Sequence, residues 1–116
     1  MHDEIMRLIR NRLYEGKHPF ARDSMGMTDF GDLTGILRKL PREKVEKYIA
    51  EIEKIFEVVK DCQACTAKLC AYLVFICEGI LENKYQEYVV KLEPIQKNQR
   101  YNRDYKEEVR FHLKNS

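Results

Sequence analysis

An unbroken apolar run of nine residues, from Leu69 to Cys77, constrains the fold of this 116-residue chain more than any other feature. A helix that spans a bilayer needs about 20 apolar residues, so the run is too short to cross a membrane. Nine consecutive positions pass all the way round a helix, and a helix that is apolar on every side must be surrounded by neighbours. We therefore predict a central buried helix over about 62–82, capped by Asp61 and ended by Asn83.

The rest of the chain repeats apolar residues at intervals of three and four, which is the period of an α-helix. The first predicted helix runs from Asp3 to about Gly16. The second begins near Thr28 or Asp29 and closes at Pro41, and the third spans about 42–60. The central helix is followed by one over about 84–93, which Pro94 interrupts, and by a last one opened by Asp104. No segment alternates with the period of a strand. The pattern predicts one all-α domain over 1–116, a compact bundle or a short irregular helix-pair stack of five to six helices.

Charge and composition favour a soluble chain and do not by themselves indicate a partner. The net charge is only +2, although residues 1–22 balance at +2, residues 94–116 at +3 and the middle at −3. The charged residues Asp3, Glu4 and Arg7 break up the segment after Met1, which predicts that no secretory signal is present. We therefore expect a cytoplasmic protein without structural disulfides.

All four cysteines lie in the segment "CQACTAKLCAYLVFIC", from Cys62 to Cys77. Each helical residue advances about 100° and 1.5 Å, so Cys62 and Cys77 are about 22 Å apart and the four thiols cannot converge on one tetrahedral zinc. We therefore expect neither a metal nor a cofactor. Cys70 and Cys77 share a face and are predicted to be buried, since free cysteine packs as a small hydrophobe. Cys62 and Cys65 lie at the predicted exposed start, where a redox role stays open.

Residues that could catalyse a reaction are scattered along the chain. The three histidines, His2, His18 and His112, fall in three separate elements and form no local triad spacing with Ser24 or Ser116. Catalysis by a nucleophile or a general base requires side chains within hydrogen-bond reach of one another. The sequence therefore predicts a protein that is not an enzyme.

The polar segment "GKHPFARDSMGM", residues 16–27, is a long loop for a small helical domain, and long loops often carry function. We expect this loop and the turn after it to contact a partner. The predicted contact residues are His18, Phe20, Arg22, Asp23, Met25, Met27 and Asp29, with Tyr101 and Arg103 as a second patch. The second patch mixes cations with aromatic rings, which is typical of protein hot spots and also of single-stranded nucleic-acid sites.

The segment "DYKEEVRFHL", residues 104–113, carries an acidic residue shortly before the Val109–Arg110 pair and then Leu113. Together with the helix predicted over 84–93, it resembles the second half of a HEAT-type helical repeat. The resemblance covers residues 84–114 and implies a helix pair that packs side by side.

A small all-α, cytoplasmic chain without catalytic residues also resembles, in type, the bacterial immunity proteins and antitoxins, including those directed against contact-dependent inhibition toxins. The resemblance implies a protein partner, a cognate toxin domain whose active site is blocked stoichiometrically and without turnover. Residues 23–93, the acidic middle of the chain, are the part that could meet a basic toxin. The alternative is a nucleic-acid-binding or regulatory helical protein that uses the basic N- and C-terminal segments.

Overall fold

The computed structural model of the chain describes residues 2–16, 18–20, 23 and 28–98, with the backbone alone over 96–98. Within these residues the chain is helical and contains no strand. The helices are α1 (His2–Leu13), α2 (Asp29–Arg38), α3 (Arg42–Glu53), α4 (Ile55–Val59), α5 (Gln63–Cys77) and α6 (Glu82–Asn98). The all-α prediction is therefore confirmed, and the predicted last helix over 104–113 lies outside the described residues.

Helix α5 is the buried centre of the fold, as the apolar run predicts. Six consecutive residues, Leu69 to Val74, are fully buried, and six positions pass more than once round a helix. Helix α6 packs along α5 most extensively, and α2 and α4 also contact it. The helix ends at Cys77, earlier than predicted, because Gly79 adopts a φ of +75° and turns the chain. Arg38 of α2 donates to the carbonyls of Phe75 and Glu78 and so satisfies acceptors at this end.

The helix starts follow the sequence only in part. Thr28 caps α2 as predicted, and its side chain accepts a hydrogen bond from the backbone N–H of Gly31 at 3.1 Å. The cap of α5 is Cys62, whose sulfur accepts from the Cys65 N–H at 3.3 Å, so the prediction of an Asp61 cap is wrong. Asp3 lies inside the first turn of α1, where a carboxylate favours the positive end of the helix dipole, and does not cap it.

The helix predicted over 42–60 is divided at Lys54. The Lys54 N–H donates to the Glu51 carbonyl and the Glu57 N–H donates to the Lys54 carbonyl, both at 3.3 Å. These bonds span three residues where an α-helix spans four, so the chain tightens locally between α3 and α4. Ile52 and Ile55 are fully buried on either side of the turn, which keeps both helices on the same core.

Helix α6 continues through Pro94, against the prediction that this residue interrupts it. Proline lacks the N–H that would bond to the carbonyl four residues earlier, here that of Val90. Val90 and Pro94 are both exposed, so water can solvate the freed carbonyl and the helix can persist. Among the described helices, none combines the length and apolar character needed to cross a bilayer.

Candidate functional site

The described part of the loop between α1 and α2 lies over one face of α5. That face is formed by Cys65, Lys68 and Tyr72, which follow the i, i+3, i+7 spacing of neighbours along a helix. Each of the three lies against the loop or the residue that ends it. The site is therefore built where a loop and the first half of the central helix meet.

An aromatic cluster fixes the middle of the loop. The ring of Phe20 meets the edge of Phe30 with centroids 5.3 Å apart and tilts against Tyr72 at 5.8 Å. Phe30 and Tyr72 are themselves 5.0 Å apart, and all three rings are buried. The Tyr72 hydroxyl lies 3.1 Å from the hydroxyl of Thr28, the cap of α2. Edge-to-face contacts of this kind add stability beyond the area that they bury.

Two cations hold the backbone of the loop. The Lys68 ammonium donates to the carbonyls of Phe20 and Asp23, at 2.8 and 3.0 Å. The Arg12 guanidinium donates to the Pro19 carbonyl and to the Asp23 carboxylate, the latter at 3.1 Å, and stacks over the Phe20 ring at 5.1 Å. Both partners of the Arg12–Asp23 ion pair are about nine-tenths buried, so the pair is less screened by solvent than an exposed one. The loop is thus attached to α1 and to α5 at once.

Three potential metal ligands converge at the start of α5. A ring nitrogen of His18 and the sulfurs of Cys62 and Cys65 all lie within 4.8 Å of one another. His18 is exposed, Cys62 is half-buried and Cys65 is fully buried, which corrects the prediction that Cys65 lies at an exposed start. The Cys62 sulfur accepts the Cys65 N–H at 3.3 Å, and the backbone of Phe20 acts to lower the pKa of Cys65.

The three buried thiols are protonated at neutral pH. Burial is the main cause in each case, and it raises the pKa of Cys70 and Cys77 to about 12 and that of Cys65 to about 11. Besides burial, the neighbouring Cys62 raises the pKa of Cys65, while the Phe20 backbone and the Lys68 charge act to lower it. The Lys91 charge alone lowers the pKa of Cys70, whereas Lys84 and Arg38 lower that of Cys77.

The predicted contact residues have different positions in the structure. His18 and Asp29 are exposed and available to a partner. Phe20 is fully buried and Asp23 is ion-paired with only a tenth of its side chain exposed, so the expectation that both are displayed on the surface is wrong. Arg22, Met25, Met27, Tyr101 and Arg103 lie outside the described residues.

The most exposed large apolar side chain of the described residues was not among the predicted contacts. Tyr14 follows α1 and is 85% exposed. Nine residues separate it from the buried Ile5, which places the two on opposite sides of a helix of 3.6 residues per turn. The apolar periodicity of α1 could therefore have predicted that Tyr14 points away from the core.

With the fold and the site in view, comparison with known proteins identifies no relative: no family model, curated protein or solved structure matches the chain.

Proposed function

We propose that this chain is a protein-binding module that neutralises a toxin by stoichiometric occlusion of its active site, as immunity proteins and antitoxins do. The observation that carries the proposal is the 85% exposure of Tyr14, just before a loop whose described residues are bonded to Arg12 and Lys68. Tyrosine is among the residues most enriched at the energetic centres of interfaces. A ring left in water therefore favours a role in contact with another protein.

The anchored loop also supports this proposal. Binding is weakened by the entropy lost when mobile segments become ordered, and a loop that is already fixed loses less. Here the backbone carbonyls of Pro19, Phe20 and Asp23 are bonded to Arg12 or Lys68. A partner that docks on this end of the molecule would meet a surface whose described part is already in place.

Exposed carboxylates near the loop suggest the charge of the partner. Glu15 pairs with Arg12 at 3.2 Å and keeps about half of its side chain exposed, and Asp29 and Asp32 are exposed in the first turn of α2. Complementary charges steer association and select the correct partner. The proposed target is thus a basic cleft, such as the active site of an enzyme that acts on a polyanion.

Substitution of Tyr14 by alanine tests the proposal. The tagged chain would be captured from its native host and the mass of any complex measured by native mass spectrometry. We expect a 1:1 complex with a protein whose activity is lost on binding, and a dissociation constant about 10- to 30-fold higher for Tyr14→Ala, since hot-spot truncations cost about 2 kcal/mol.

A matched control is Val90→Ala on α6, which truncates another exposed large apolar side chain, 66% exposed. It should leave the dissociation constant unchanged once folding has been verified by circular dichroism. Equal affinity of the wild type and Tyr14→Ala would refute the proposed surface. Binding to RNA or DNA with a steep dependence on salt would instead favour the nucleic-acid alternative.

A further inference from the structure

We propose that His18, Cys62 and Cys65 form a binding site for one soft or borderline divalent cation, Zn²⁺ in the first instance. The inference is independent of the toxin-neutralising role, because it rests on the donor atoms and not on any partner. Three donors from two separate elements, a loop and the start of α5, lie within 4.8 Å of one another.

The distances are close to those that a bound zinc requires. With Zn–S bonds of about 2.3 Å and Zn–N bonds of about 2.0 Å, tetrahedral donors lie about 3.5–3.8 Å apart. Since the three donors here lie within 4.8 Å of one another, they need to approach by about 1 Å at most. Because His18 is exposed and Cys62 is half-buried, rotation of these two side chains can close the gap while Cys65 stays fixed in the core.

The surroundings of the sulfurs are suited to thiolates. The Cys65 N–H donates to the Cys62 sulfur at 3.3 Å, and the backbone of Phe20 favours the charged form of Cys65. Cys62 caps the 15-residue helix α5 and Cys65 lies in its first turn, where the helix dipole favours negative charge. The ammonium of Lys68 lies one turn further along the same face. Such outer contacts orient metal ligands and stabilise their charged form.

The donor set selects the kind of cation. Two sulfurs and one imidazole suit zinc and similar soft or borderline metals, whereas magnesium and calcium require oxygen ligands. Binding converts two thiols and a neutral imidazole into a zinc complex with two thiolates, and it releases two protons to solvent. Three protein ligands leave one coordination position for water or for a group of another molecule.

A bound cation would join the loop to the central helix at a third point. The two existing attachments are the Lys68 and Arg12 hydrogen bonds, which involve Pro19, Phe20 and Asp23. A zinc held by His18 would fix the start of the loop, directly after the exposed segment that contains Tyr14. The site therefore offers metal-dependent ordering of the loop, beyond the contacts that hold it without metal.

Titration of the reduced full chain with Zn²⁺, in competition with a chromophoric chelator, tests the proposal. We expect one equivalent to bind, release of two protons per cation, and a thiolate-to-metal charge-transfer band when Cd²⁺ replaces Zn²⁺. His18→Ala and Cys62→Ser should each weaken binding by about 100-fold or more, because outer-shell changes alone weaken it 10–100-fold. Both side chains are at least partly exposed, so these variants should fold, which circular dichroism would verify.

Cys70→Ala is the matched control, because it removes a thiol from the same helix without touching the cluster. It should bind Zn²⁺ as the wild type does. The proposal is overturned if the wild type binds less than one equivalent, or if His18→Ala binds as tightly as the wild type. It is likewise overturned if protein isolated from a reducing host carries a Cys62–Cys65 disulfide, seen as a mass lighter by two hydrogens.

Discussion

Replacement of Phe20 by alanine should lower the free energy of unfolding by about 3–5 kcal/mol, the range for buried phenylalanine truncations. The side chain is fully buried between Phe30 and Tyr72 and beneath the Arg12 guanidinium. Its loss removes apolar burial, two aromatic contacts and one cation–π contact. Because small domains are stable by only about 5–15 kcal/mol, we expect a large fall in the urea midpoint with an unchanged m-value.

Tyr14→Ala provides the control, since it removes a similar ring that is 85% exposed. Surface truncations away from special features stay within about 0.5 kcal/mol. The pair also separates stability from binding, because Tyr14→Ala should weaken the proposed complex and leave folding intact. A stability loss of the same size in both variants would contradict the view that Phe20 attaches the loop to the core.

Leu73→Ala should destabilise the protein by about 2–5 kcal/mol, because this side chain lies fully buried in the middle of α5. Alanine is a slightly better helix former than leucine, so helix propensity opposes the loss and cannot explain it. The effect therefore measures packing around the central helix. Urea unfolding followed by far-ultraviolet circular dichroism gives the value.

The control for Leu73 is Val90→Ala on α6, where the valine is 66% exposed. Alanine has the higher helix propensity, so the variant should be neutral or slightly more stable. If the two substitutions had equal effects, α5 would not be the element that the other helices surround.

The fold could be predicted from the sequence because the apolar pattern that marks a buried helix lies within one short segment. The run from Leu69 to Val74 is apolar at every position, so a central helix can be predicted without knowing which elements pack around it. The helix boundaries were harder to predict. The start of α5 depends on a cysteine acting as a cap, and α6 persists beyond Pro94 where Val90 and Pro94 are both exposed. Neither is a property of residue type alone.

The candidate site was less accessible because its parts are far apart in the chain. Helical geometry separates the four cysteines along α5, and Cys70 and Cys77 are buried in the core. That geometry considers one helix at a time, and His18 lies 44 residues before Cys62. Only the fold of the loop over Cys65, Lys68 and Tyr72 brings the histidine to the thiols. The same fold explains why Phe20, in a polar loop, is buried.

The most direct test of the central claim, that α5 is the buried centre of the fold, is differential alkylation of the four cysteines. The reduced native protein would be treated with iodoacetamide in the presence of a metal chelator, and each site would be quantified by mass spectrometry. We expect Cys62 to react first and Cys65 more slowly, because Cys65 is fully buried and its pKa is raised to about 11. Cys70 and Cys77, buried and with pKa values raised to about 12, should react only after denaturation. Labelling of Cys70 and Cys77 in the native protein at the rate of Cys62 would contradict the buried central helix.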